Sequence, residues 1–302
     1  MSIVVVGSSN TDMIIKVHHL PRPGETILGG EFTKAAGGKG ANQAVAAARA
    51  GGEVTFIAKV GDDIFGESAI AGFIEDNINV ESVLKDSEAP SGVAQIFVAD
   101  DGENCIAVAS GANANLSVDD IKNAKEKILY AGILLTQLET PIETITEAVK
   151  IAKENGATVV LNPAPAQSLP DKLLAMLSII TPNETEAEML TGIKVIDETS
   201  AALASEALKN KGVESVIITL GAKGAFVDND GDQYMVPGFV IKAVDTTAAG
   251  DVFNGALAVA LSKKINFKDA VKFANAAAAL SVTKLGAQPS VPTLDEINEF
   301  IK

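Results

Sequence analysis

Residues 244–257, Val-Asp-Thr-Thr-Ala-Ala-Gly-Asp-Val-Phe-Asn-Gly-Ala-Leu, are the stretch best suited to chemistry. A polar turn at Asp245-Thr246-Thr247 narrows to Ala248-Ala249-Gly250, where no side chain exceeds a methyl. Asp251 then stands at the head of an apolar helix. Small residues before a helix start let an anion approach the first backbone N–H groups. Those groups have no partner within the helix, and the helix dipole adds about half a positive charge there. A carboxylate at that spot repels a resting anion. It suits a base that takes a proton from a nucleophile attacking a phosphate. Plain helix capping is the competing reading, since Asp before an apolar helix is a common cap. The helix terminus is expected to lower the Asp251 pKa, making it a weak base.

Three other clusters carry donors and acceptors. Gly37-Gly38-Lys39-Gly40-Ala41-Asn42 opens an Ala-rich helix that runs to about residue 50. It is not a Walker A motif, because no Gly lies five residues before Gly38 and no Ser or Thr follows Lys39. It reads as a second Gly-rich helix start offering Lys39 and Asn42, or as a tight turn and cap. Asn10 and Asp12 follow the first apolar run, where they can bond sugar hydroxyls or simply make a turn. Asn183 and Glu186 lie three apart at a helix start. Glu186 can hold the water shell of Mg²⁺, and the same pair also has the spacing of a capping box. Asn183-Glu184-Thr185 matches a glycosylation acceptor, but nothing in the chain suggests secretion.

The elements that must position these residues alternate regularly. Apolar runs at 3–6, 54–59, 133–137, 158–161, 179–181 and 216–219 read as strands. Helical patterns fall between and after them, at 66–76, 117–129, 142–155, 184–190, 199–211, 250–263 and 267–283. This alternation predicts an α/β fold, a three-layer, mostly parallel sheet with helices on both faces. Asn10, Asp12, Glu139, Asn183 and Thr219 stand where strands end. Right-handed crossovers bring such ends to one edge, where ligands of α/β folds bind. Residues 13–36 and 91–109 break the rhythm. They read as short antiparallel strands, with a hairpin signal at Asp100-Asp101-Gly102, and are expected to form a small β lid. The whole of 1–302 is expected to be a single domain with that lid.

Bulk composition narrows the function classes. The chain has 302 residues, is 47% hydrophobic and carries a net charge of −15. That surface argues against nucleic acid or an anionic membrane as partner, so a nucleotide must be held by local donors and metal ions. The lone Cys105 excludes an internal disulfide and fits a reducing, cytoplasmic location. The start of the chain reads as a first strand rather than a leader, and no apolar run approaches a membrane span. The absence of Trp makes aromatic stacking platforms scarce.

Taken together, the chain resembles the ribokinase/PfkB family of carbohydrate kinases over essentially its whole length. The resemblance runs through Gly7-Ser8-Ser9-Asn10-Thr11-Asp12, 37–43, Asn162-Pro163-Ala164-Pro165-Ala166, 181–192, 245–257 and 286–292. It implies an ATP-dependent kinase with D-ribose as acceptor and Asp251 as the base at the 5-hydroxyl. The N–H groups of Ala248, Ala249 and Gly250 would form the anion hole. Asn10, Thr11, Asp12, Gly38, Lys39, Gly40, Ala41, Asn42 and Glu139 would surround the sugar. Asn183, Thr219, Leu220, Gly221, Ala222, Lys223, Gly224 and Asn275 would contact ATP, alongside Gly250 and Asp251. Glu186 would support Mg²⁺ through water. Asp245, Thr247, Ser281, Lys284, Gly286 and Ser290 correspond to a K⁺ site, several through backbone oxygens. The lid would join two copies in a homodimer. Two positions depart from the family pattern: Ala248 stands where Gly is usual, and Asn275 where His is frequent. The competing functions are a kinase for another sugar or nucleoside, a non-catalytic sugar sensor, and a nicotinamide dehydrogenase. The last lacks a G-x-G-x-x-G after the first strand.

Overall fold

The computed structural model describes residues 1–302. In chain order, strand β1 (Ile3–Val6) leads into β2 (Asn10–Val17) and β3 (Glu31–Gly37). Helix α1 (Lys39–Arg49), β4 (Val54–Gly61), α2 (Ile64–Glu75) and β5 (Asn79–Asp86) follow. A hairpin, β6 (Gly92–Ala99) and β7 (Asn104–Ala109), precedes helices α3 (Val118–Asn123) and α4 (Lys125–Leu129). Next come β8 (Ile133–Thr136), α5 (Ile142–Glu154), β9 (Thr158–Leu161), α6 (Asp171–Leu174), β10 (Ile179–Ile180), α7 (Glu184–Thr191) and α8 (Glu198–Lys209). The chain finishes with β11 (Ser215–Thr219), β12 (Gly224–Asn229), β13 (Asp232–Pro237), α9 (Ala249–Ser262), α10 (Phe267–Ser281) and α11 (Leu294–Ile301).

Nine strands form the large sheet, in the order β13-β12-β11-β10-β9-β8-β1-β4-β5. Pairing is parallel from β11 through to β5, and only the β12–β13 hairpin adds antiparallel ladders. Alternation within β1 shows how the layers arise. Ile3 and Val5 join the core that contains α1, α9 and α10, while Val4 and Val6 join the core containing α5, α7 and α8. Burial of both faces explains why these strands read as continuous apolar runs.

The smaller sheet runs β3-β2-β6-β7. Its outer pairs are antiparallel, but the central pair β2–β6 is parallel, so this is not the purely antiparallel unit expected. The strand β2 also starts at Asn10, three residues before the expected boundary, which makes the first sugar-site residues part of this sheet. The helix expected over 117–129 divides at Ala124 into α3 and α4. The strands β5, β12 and β13 and the helix α11 were not legible from periodicity.

Two close crossings set the site. Glycine 40 in the first turn of α1 lies so near the loop after β1 that a Cβ would come 2.4 Å from the Ser8 nitrogen. Glycine 255 lets α9 approach α1, since a Cβ there would meet the Gln43 carbonyl at 2.6 Å and the Ala47 nitrogen at 2.8 Å. The two Gly-rich helix starts are thereby forced side by side.

Candidate active site

The helix α9 begins at Ala249, capped by Ala248 in the left-handed conformation at φ 59°. That conformation costs an L-residue roughly 1–2 kcal/mol, which gives a reason for Gly to be usual here. The tight turn has a second effect. Ala249 N–H donates to the Thr246 carbonyl at 3.3 Å, while the N–H groups of Ala248, Gly250 and Asp251 find no partner in the protein. Of the expected trio, Ala248 and Gly250 are free donors and Ala249 already bonds Thr246. The free donors at this terminus are those of 248, 250 and 251.

Asp251 is 6% exposed. Its Oδ2 accepts from Asn42 Nδ2 at 3.0 Å and its Oδ1 from Gln43 Nε2 at 2.9 Å. Both donors come from α1, delivered by the crossing at Gly255. Burial pushes the Asp251 pKa up, against Lys39, Gln43 and Asn42, which favour the ionised form. The expectation of a lowered pKa is thus overturned. It weighed the helix terminus alone, whereas packing from α1 and the sheet removes the carboxylate from water.

Around Asp251 lie Asp12, Lys39 and Glu139. Glu139 Oε2 accepts the Lys39 backbone N–H at 3.0 Å and the Ser8 hydroxyl, tying the ends of β8 and β1 to the start of α1. Burial first, then the Glu139 and Asp251 charges, push Asp12 up to about 6. For Lys39, burial opposes the charge, but Asp251, Glu139, Glu186 and Asp12 outweigh it and its pKa is raised. One cation thus balances four carboxylates in the same chamber. Asn10 is held by a residue the sequence reading missed. Asn113 Nδ2 donates to Asn10 Oδ1 at 2.7 Å and Asn113 Oδ1 accepts from Ser9 N–H at 2.8 Å. This leaves the Asn10 amide donors free. Thr11 pairs with Ala36 between β2 and β3 and is buried. Gly38, at φ 88°, lies so close that a Cβ would come 2.7 Å from the Asn10 nitrogen, and Ala41 N–H donates to Ser8 O.

Asn183 and Glu186 do form the capping box. The Asn183 N–H donates to Glu186 Oε2 at 2.9 Å, and Glu186 N–H donates to Asn183 Oδ1 at 2.8 Å. The box uses only one Glu186 oxygen. Burial raises the pKa of this carboxyl, Lys39 lowers it and Asp251 raises it, so it shares the electrostatics of the chamber. No three His, Cys, Asp or Glu side chains converge to cage a metal. An ion bound here would therefore take most of its ligands from phosphate and water, as Mg²⁺ commonly does.

Thr219, at the end of β11, bridges to Asn183, and its N–H donates to Pro182 O at 2.9 Å. Leu220 and Gly224 close the following turn through Leu220 N–H and Gly224 O at 2.8 Å, around a 3₁₀ segment of Gly221, Ala222 and Lys223. A cleft of about 250 Å³ borders this loop, lined by Glu184, Asp197, Leu220 and Lys223 among others; Asp251 is not part of it. Asn275 reaches the 219–224 loop only through β13, whose Pro237 pairs with Gly224. Its Nδ2 donates to the Val236 and Pro237 carbonyls at 3.1 and 3.3 Å, which fastens α10 to β13.

Of the residues expected to hold a monovalent cation, Asp245, Thr247 and Gly286 are hydrogen-bonded together. Asp245 Oδ1 accepts from Thr247 N–H and its hydroxyl at 2.9 and 2.6 Å, and Oδ2 accepts from Gly286 N–H at 2.8 Å. These bonds hold Asp245 below the usual carboxylate range although burial acts the other way. Val282 O accepts from Val244 and Asp245, Ser281 O accepts from Lys284 N–H, and the Ser290 hydroxyl donates to Ala287 O. The Lys284 ammonium points elsewhere, to Glu296 at 2.9 Å.

Residues 1–294 match the pfkB family of carbohydrate kinases. The chain belongs to that family. Its relatives include a ribokinase from Haemophilus influenzae, 48% identical over 100% of this chain and 98% of the other. A deoxyribokinase from Salmonella typhi is 39% identical over 100% of this chain and 99% of its own. The solved structure of Arabidopsis thaliana ribokinase complexed with ribose and ATP superposes with a TM-score of 0.93, at 33% identity, covering 100% of this chain and 98% of that one.

Proposed function

We propose that this chain transfers the γ-phosphoryl group of ATP to the 5-hydroxyl of D-ribose, giving D-ribose 5-phosphate and ADP. The observation that carries this reading is the placement of a buried Asp251 between two amide donors at a helix start with free N–H groups. A base and an anion-stabilising terminus meet there at one point. Phosphoryl transfer asks for that combination of positioning and charge stabilisation. The raised pKa strengthens Asp251 as a base toward the hydroxyl. Asn10, Asp12, Lys39, Asn42 and Glu139 would hold the sugar, and Asn183 with the loop 219–224 would hold ATP. Mg²⁺ would neutralise the phosphates, steadied by water on the free Glu186 oxygen. K⁺ would sit beside the Asp245 carboxylate and the neighbouring backbone carbonyls, oxygens suited to a hard cation. The small sheet would close over the sugar and join two copies. Its outer strand β7 is exposed throughout, with Ile106 and Val108 about half exposed, and open edges of this kind seek a partner. The free, exposed Cys105 fits the reducing cytoplasm where ATP is available, and no helix is long and apolar enough to cross a membrane.

The likeness to a deoxyribokinase supports a second reading, in which 2-deoxyribose is the acceptor. ADP release from Mg-ATP against ribose, 2-deoxyribose, fructose and adenosine decides between them. Ribose-dependent turnover exceeding all others is expected. Preference for 2-deoxyribose would keep the mechanism and move the specificity. Sugar binding without any turnover would favour a sensor.

A further inference from the structure

A row of buried polar side chains lies behind Asp251 and has no part in the reaction as described so far. Val6, Thr136, Leu161 and Ile180 stand opposite one another across β1, β8, β9 and β10. One residue further on, the same row reads Gly7, Gln137, Asn162 and Thr181. The two-residue period aims these toward the face that carries Val5, Leu135, Val160 and Ile179, beneath α1 and α9. A polar rank thus replaces the apolar one just where α1 and α9 begin.

Hydrogen bonds join this rank into a ring. Asp251 Oδ1 accepts from Gln43 Nε2, which also donates to Asn162 Oδ1 at 3.0 Å. Asn162 Nδ2 donates to the Thr181 carbonyl at 3.2 Å. The Thr181 hydroxyl donates to Asn254 Oδ1 at 2.6 Å, and Asn254 Nδ2 donates to the Gly250 carbonyl at 2.8 Å. That carbonyl belongs to the peptide whose N–H is Asp251's own, so the ring returns to its start. Every amide orientation in it is forced. The Thr181 and Gly250 carbonyls can only accept, which fixes Asn162 and Asn254. Asn162 then fixes Gln43, whose Oε1 must take the Gln137 N–H₂ at 2.7 Å. The cost of this order is visible, since Gln137 Oε1 is buried without a partner. Gln43 is fully buried and Thr181 and Asn254 are 1% exposed; within the ring itself, Gln137 set aside, each side chain is paired, which makes the ring rigid.

We propose that Gln43, backed by Asn162, Thr181 and Asn254, is a positioning residue that fixes both the Asp251 carboxylate and the Gly250–Asp251 peptide. Base and anion-stabilising N–H are then set by one ring and cannot drift apart. The inference rests on the phosphoryl-transfer reading above. Lys39, Glu139, Asp12 and Glu186 are the charged groups whose fields reach Asp251. The ring adds to them only neutral dipoles.

The test compares Gln43→Leu, the isosteric Gln43→Glu, and the pair Thr181→Val and Thr181→Ser. For Gln43→Leu, kcat should fall about 10- to 100-fold with KM for ribose within about threefold, a fraction of a general base's whole contribution. Gln43→Glu sets a second carboxyl against Asp251 and should raise the Asp251 pKa by about one unit or more. That shift is read twice, as the acid limb of kcat and as the carboxyl ¹³C titration of Asp251. Thr181→Val should slow kcat about 3- to 10-fold, and Thr181→Ser should restore it. An unmoved Asp251 titration in Gln43→Glu overturns the proposal, and so does a Thr181→Val enzyme equal to Thr181→Ser. Should Gln43→Leu fail to fold, those two measurements still decide. A wild-type protein without sugar-dependent turnover would sink the reaction reading instead. The ¹³C titration would continue to judge the ring.

Discussion

Asn42 and Asp251 are 209 residues apart in the chain, yet the Asn42 amide donates to the Asp251 carboxylate at 3.0 Å. The contact joins the two Gly-rich helix starts, one expected to hold the sugar and the other to activate its hydroxyl. On the proposed reading, sugar site and base are one structure. A change on either helix should be felt at both.

Asp251→Asn should lower kcat by about 10²–10⁴, the scale of a lost general base. The amide keeps the shape but accepts no proton. Calorimetric affinity for ribose should stay within severalfold of wild type, since Asn10, Asp12, Lys39 and Glu139, the proposed sugar contacts, are unchanged. Near-normal turnover would remove Asp251 from its role.

Asp12, with its pKa pushed up to about 6, gives a pH signature. Its carboxyl is raised above the unfolded value, so the folded state binds more protons between those two values. Stability contributed by this group therefore falls as pH rises from about 4 through about 6. Asp12→Asn should accordingly stabilise the fold at pH 7.5, by about 1–3 kcal/mol given about 1.4 kcal/mol per pKa unit, while KM for ribose rises. The wild-type KM should also rise as pH falls below about 6. A thermal scan and a ribose titration at pH 5.5 and 7.5 check both. An Asp12→Asn protein less stable at pH 7.5 would falsify the electrostatic account.

The sequence showed the large sheet because its strands are buried on both faces and stay apolar throughout. It showed Asp251, Lys39, Asn42 and Glu139 because each sits in a local signature or at a strand end. Gln43 lay inside one of those signatures, but its partners, Asn162 and Asp251, are 119 and 208 residues away. Asn113 and Asn254 likewise work through distant partners and look like ordinary polar residues. The raised pKa of Asp251 was unreadable for a related reason. The helix start is local, while the burial that decides the sign is assembled from α1 and the sheet. The strands β12 and β13 were hidden by their polar ends, Asp228-Asn229 and Asp232-Gln233.

Gly255→Ala tests the crossing of α9 over α1. The new methyl would press on backbone atoms of Gln43 and Ala47, which cannot swing aside as a side chain could. Overpacking of this kind costs about 1–3 kcal/mol, so the thermal midpoint should fall by about 2–8 °C. Because α1 carries Asn42 and Gln43, kcat should drop as well. A substitution neutral in both would show that the helices have slack.

The Asp245 junction should make turnover depend on the monovalent cation. Asp245 holds the 245–247 turn to Gly286 and lies six residues before Asp251 in the same segment. A cation there would order the free N–H groups at 248, 250 and 251 without touching the sugar. Exchange of K⁺ for Na⁺ should lower kcat severalfold and leave KM for ribose little changed. Asp245→Ala should abolish that cation dependence and destabilise the protein by about 2 kcal/mol, because it removes three hydrogen bonds to a charged acceptor. Initial rates in KCl and NaCl at equal ionic strength, for both proteins, make the measurement. A wild type indifferent to the cation refutes the site. A variant that keeps the full K⁺ response places the ion elsewhere.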